Sequence, residues 1–77
     1  MIAIEILMAY CRADEDSKAA VVDAAADAEN YLTDMRADPQ RPVYNKALKA
    51  LTLQFLDHPD GGEFSPALQK LLNALKL

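Results

Sequence analysis

Seventy-seven residues with a formal net charge of −4 fit one domain at most, and a chain of this size buries only about 60% of the surface its unfolded form exposes. The lone cysteine, Cys11, and the lone histidine, His58, exclude an internal disulfide and the paired Cys/His spacing of a zinc site, which leaves self-association to supplement a small core. No apolar run approaches the roughly 20 residues that span a bilayer, and Met1-Ile2-Ala3-Ile4-Glu5 lacks the basic flank of a secretion signal, so a soluble protein in a reducing cytoplasm is expected.

Charge is unevenly spread. Residues 1 to 38 hold nine acids against three bases, and residues 39 to 77 hold three acids against five bases. This balance argues against gripping nucleic acid through its phosphates, which requires Lys and Arg clustered on one face.

Four helices are expected, separated by turn signals. The first runs from about Ile4 to Cys11, where Ile4, Leu7, Met8 and Cys11 recur at helical spacing. A helix this short is unstable alone in water and has to be held by packing. Asp14-Glu15-Asp16-Ser17 reads as a helix start, because Asp or Ser accepts hydrogen bonds from free first-turn amides and negative charge suits that end of the helix dipole. A calcium loop needs a glycine and a downstream bidentate Glu that are missing here.

The second helix, about Ser17 to Met35, has Ala20, Val21, Ala24, Ala25, Ala28, Tyr31, Leu32 and Met35 on one stripe and Lys18, Asp23, Asp27, Asn30 and Asp34 opposite. Alanine allows close backbone approach while contributing little buried area, so the core should be thickest near Tyr31, Leu32 and Met35. Asp38-Pro39-Gln40-Arg41-Pro42 then breaks the helix.

Pro42 opens a third helix that reaches about Asp57, lined by Tyr44, Ala47, Leu48, Leu51, Phe55 and, at its flank, Leu56. Ala50 and Leu53 lie off that stripe and widen the apolar face beyond what one neighbour covers. The second neighbour is either the first helix or another copy of the chain. His58-Pro59-Asp60-Gly61-Gly62 ends the helix, with His58 as a capping or dipole partner. Ser65 as N-cap and Pro66 at the first position begin a fourth helix with Leu68, Leu71, Leu72 and Leu75 along one side. The expected fold class is all-α, a single domain over residues 1–77 made of a small bundle of about four helices.

The order of these pieces resembles the head-tail connector (adaptor) family of tailed bacteriophages and prophages, whose members are often called DNA-packaging proteins. The resemblance rests on Tyr10-Cys11-Arg12, the acidic break Asp14-Glu15-Asp16, the helix ending Glu29-Asn30-Tyr31-Leu32, Pro42-Val43-Tyr44-Asn45-Lys46-Ala47-Leu48-Lys49-Ala50-Leu51 and Phe64-Ser65-Pro66-Ala67-Leu68-Gln69-Lys70-Leu71-Leu72-Asn73-Ala74-Leu75-Lys76. It spans nearly the whole chain. The chain departs from the family pattern at Phe55-Leu56-Asp57-His58 and in closing on Lys76 where the family closes on Arg.

The resemblance implies a structural subunit. It would form a homo-oligomer ring beneath the portal protein, extend the channel through which DNA passes without sequence-specific binding, and offer a platform to a neck or tail completion protein. It would be found in the host bacterial cytoplasm during assembly and at the head-tail junction of the virion.

On this reading Leu68, Lys70, Leu71, Leu72, Leu75 and Lys76 are the portal-docking candidates, since an apolar helix face with basic rims is how a helix docks in a groove. The competing reading places the same leucines in the core. Asp23, Asp27, Lys46, Lys49 and Leu53 are the subunit-interface candidates, because a ring joins one patch of a subunit to a different patch of the next. No Gly-rich phosphate loop, nucleophile-base pair or metal-ligand spacing occurs. Neither catalytic nor metal-binding residues nor a cofactor are expected, and an enzyme is not. The alternative function is a small cytoplasmic helical adaptor or regulator that binds one protein partner.

Overall fold

The computed structural model describes residues 4–58 and 62–75. Four helices follow one another, α1 (Ile4–Cys11), α2 (Lys18–Asp34), α3 (Pro42–Asp57) and α4 (Pro66–Leu75), with a 3-10 turn at Glu15–Ser17 ahead of α2 and no strand among the described residues. The protein is a small all-α bundle. Its radius of gyration, 11.6 Å, equals the roughly 11.5 Å of a compact domain of this length.

Local chemistry sets the boundaries. Asp14 caps the 3-10 turn, its Oδ1 accepting from the Ser17 amide at 3.2 Å, and α2 starts one residue later than the acidic cluster implied. Ser17 itself makes no side-chain cap bond. Pro42 occupies the first turn of α3, where its missing N–H costs nothing. Ser65 caps α4, its Oγ accepting from the Leu68 amide at 3.2 Å. His58 sits at the C-cap of α3 and donates its backbone N–H to the Gln54 carbonyl at 2.8 Å.

The core joins Leu7 of α1, Val21, Ala25, Ala28 and Leu32 of α2, Tyr44, Ala47, Leu48 and Leu51 of α3, and Leu68, Leu72 and Leu75 of α4. Burying a leucine side chain fully stabilises a fold by about 1.5–3 kcal/mol, so the three α4 leucines are a large share of what a chain this short has. Thr52 is the buried polar residue among those described; its hydroxyl donates to the Leu48 carbonyl at 2.7 Å and is thereby satisfied.

Helix α3 lies at the centre and packs against α1, α2 and α4. From Ala47 to Leu56 none of its residues is fully exposed. The second neighbour of α3 is therefore found within the chain, although Ala50 and Leu53 stay half-buried. Two residues expected on the buried stripe of α2 depart from it: Ala20 is exposed, and Tyr31 keeps 37% of its surface. The Tyr31 ring nevertheless meets Phe55 and Phe64 edge-on, with centroids 6.3 and 5.6 Å away, while Phe55 and Phe64 pack on each other at 6.2 Å. This trio fixes the approach to α4, and two amides stitch it further: Gln54 Nε2 donates to the Glu63 carbonyl and Gln69 Nε2 to the Phe64 carbonyl, each at 3.1 Å.

Candidate functional site

Burial divides the docking candidates of α4. Leu68, Leu72 and Leu75 retain 3%, 6% and 0% of their surface, and so belong to the core. This favours the core reading of these three leucines over their assignment as portal anchors, because a side chain packed against α3 and its neighbours has little surface left to offer in the folded chain. Leu71 is half-buried and Lys70 exposed, while Lys76 lies outside the described residues.

Leu71 opens instead onto a groove of about 260 Å³ where α1, α3 and α4 meet. Tyr10, Ala50, Leu53, Ala67 and Leu71 give it an apolar lining, and Asp57 and His58 stand at its polar edge. The structure thus brings together Leu53 and Leu71, which were placed in separate candidate sets. Lys49 belongs to the same neighbourhood: its ammonium lies 5.7 Å from the centroid of the Tyr10 ring, within the range of a cation–π contact. Lys46, one turn earlier on α3, is exposed.

Asp23 and Asp27, both exposed, line a different groove of about 220 Å³ between α2 and α3. Ala20, Ala24, Phe55 and Leu56 complete its lining. The small side chains that let α2 approach α3 closely also leave this groove open, because alanine cannot fill the space beside Phe55 and Leu56. The Asp23/Asp27 groove and the Leu53/Leu71 groove share no lining residue.

Sequence periodicity missed the outer face of α1. Ile6 and Tyr10, four residues apart, keep 52% and 45% of their surface, and Val22 on α2 keeps 46%. The signal was present in composition, since Glu5 is the only charged residue in Ile4–Cys11 and a helix apolar all round generally has neighbours on every side.

Two side chains, Cys11 and Tyr44, hold their protons more tightly than usual. Burial, and after it the carboxylate of Asp57, pushes the Cys11 thiol above its ordinary 9.0, which keeps it protonated near neutrality. Burial and then the Glu29 carboxylate likewise push the Tyr44 phenol above 10.0. Among the described residues no group of three or more His, Cys, Asp or Glu side chains is placed to hold a metal ion, and no helix is long and apolar enough to cross a membrane.

Searches against protein families, curated proteins and solved structures find no match for this chain.

Proposed function

We propose that this chain is a structural assembly subunit of the head-tail connector kind, acting by packing side by side with its own copies and presenting a surface to a portal protein and to a neck or tail component. The observation that supports this reading is the exposed apolar face of α1, Ile6 and Tyr10, continuing at Tyr10 into the Leu53/Leu71 groove. Apolar surface joined to a groove in this way marks a place of contact with another macromolecule. The helical order that resembles the connector family supports the more specific role.

In this reading Lys70 and Leu71 are what α4 offers to a portal, and the mechanism is geometric: the subunit positions surfaces and transforms no substrate. DNA passes the assembled ring without being bound by sequence.

Light scattering coupled to size-exclusion chromatography, over a wide range of concentrations, tests it. A discrete large oligomer is the expected result. A monomer at every concentration would turn the reading toward a free-standing adaptor whose groove takes a helix from one partner.

A further inference from the structure

Two separate surfaces carry pairs of opposite charge, each pair about one helical turn apart, four residues for the aspartates and three for the lysines. On the first, Asp23 and Asp27 stand one turn apart on α2, above a groove lined by Ala20, Ala24, Phe55 and Leu56. On the second, Lys49 of α3 lies over the ring of Tyr10, which lines the apolar groove together with Leu53, and Lys46, three residues earlier on the same helix, is exposed. Residues three or four apart on a helix have Cβ atoms about 5–6 Å from each other, so two carboxylates on one chain can meet two ammonium groups on another in register.

We propose that these surfaces are the two halves of one head-to-tail contact between copies of this chain: the Asp23/Asp27 groove of one copy receives the Lys46/Lys49 edge of the next. The inference rests on the assembly reading above and names the partner surface within it.

The shape of the groove suits a lysine. Its lining joins two carboxylates to small and apolar side chains, and a lysine lays its aliphatic stem on apolar surface while its charged end stays among polar groups. The two aspartates are like charges within one turn of α2, a repulsion that a cationic partner relieves. Lysine supplies the cations on the second surface at two points. Lys49 is held against the Tyr10 ring, which limits the side-chain freedom lost on contact, and Lys46 is exposed to reach further.

A second copy is favoured over an unrelated basic partner because a complementary pair of charges, also about one helical turn apart, is already present on this chain. Since the two surfaces differ, the contact is heterologous: each copy leaves one half of the pair open, and addition continues until a ring closes.

Charge reversal and mixing test this on the full chain. Three proteins are compared by sedimentation velocity: the unaltered chain, D23K/D27K, and K46E/K49E, with K46E alone as a second variant that leaves the Tyr10 contact in place. Far-ultraviolet circular dichroism verifies that each is folded. The unaltered chain is expected to associate, more weakly at about 500 mM than at about 50 mM salt. Each reversed protein alone should associate at least ~10-fold more weakly. An equimolar mixture of the two double variants should associate again, because each supplies the charge the other lacks.

If the unaltered chain associates and reversal leaves that association unchanged, or the mixture fails to restore it, the proposed contact is wrong while the assembly reading stands. A chain that remains monomeric under all these conditions overturns both.

Discussion

Arg12 and Arg36 hold the same left-handed backbone conformation, with φ of 54° and 60°, at the ends of α1 and α2. Each donates its N–H three residues back, Arg12 to Ala9 at 3.2 Å and Arg36 to Thr33 at 2.9 Å. The following alanine donates five residues back, Ala13 to Met8 at 2.9 Å and Ala37 to Leu32 at 3.0 Å. This is the paired closure that usually has glycine at the left-handed position. An aspartate follows in both cases and organises the next turn: Asp14 accepts from Ser17 and Asp38 from Gln40. The triplet Arg-Ala-Asp is thus a helix terminator used twice.

Glycine in place of either arginine should stabilise the fold. A side chain in the left-handed region costs about 1–2 kcal/mol, and glycine removes that cost while making the unfolded chain looser. The expected net gain for R12G or R36G is about 0.5–1 kcal/mol, read as a higher midpoint in urea unfolding. The double variant should show both gains, provided the sites act independently. A lower midpoint for either would mean that the arginine side chain contributes a contact worth more than the strain.

The helices were legible because their apolar spacing, their prolines and their caps agree with one another, and α1, α3 and α4 begin or end where Cys11, Pro42 and Ser65 said they should. What sequence left open was contact between elements. Periodicity showed that α3 was too apolar for one neighbour, yet packing alone determined that its neighbours are α1, α2 and α4 and that Ala50 and Leu53 line a groove. The α4 leucines fitted core and docking equally well, because an amphipathic helix has the same pattern whether its partner is in the same chain or another. Arg12 and Arg36 gave no turn signal, since arginine is not a residue associated with positive φ. The grooves were invisible for a related reason: each is lined by residues from elements distant in sequence, and side chains as far apart as Tyr10 and Leu71 line one of them.

The core position of α4 predicts how the chain responds to losing it. L72A and L75A should each lower stability by about 2–4 kcal/mol, the usual cost of truncating a buried leucine. A chain ending at Gly62 loses Leu68, Leu72 and Leu75 together with Phe64, and should be unfolded by circular dichroism. L71A, by contrast, alters a half-buried residue at a groove and should cost less than either core substitution. A folded chain ending at Gly62 would return α4 to the surface and to a docking role.

Thr52 separates the value of a hydroxyl from that of a methyl group. Its hydroxyl donates to the Leu48 carbonyl, which lies four residues back in the same helix, where the backbone N–H of Thr52 is the regular partner. Valine keeps the branched shape and leaves that carbonyl its helical bond, so T52V should fall within about 1 kcal/mol of the unaltered chain. T52S removes the buried methyl and leaves a small void, and should be less stable by about 1 kcal/mol. Thermal unfolding of the two variants side by side gives the comparison. The reverse order would show that the hydroxyl serves more than this one bond.

Cys11 and Tyr44 make stability fall in alkaline solution, and the sign follows from the direction of their shifts. Both groups hold their proton more tightly in the folded chain than their ordinary values of 9.0 and 10.0 allow, so on raising the pH the unfolded chain ionises first. Their contribution is fully present below pH 9.0 and is lost as the pH climbs through the folded values. Unfolding free energy measured from pH 7 to about 11 should therefore decline from near 9 upward. C11S should remove the first part of the decline and Y44F the second. Because the Glu29 carboxylate is the second cause of the Tyr44 shift, after burial, E29Q should lower the phenol's midpoint in a spectroscopic titration without returning it to 10.0. An unchanged midpoint in E29Q would assign the whole shift to burial.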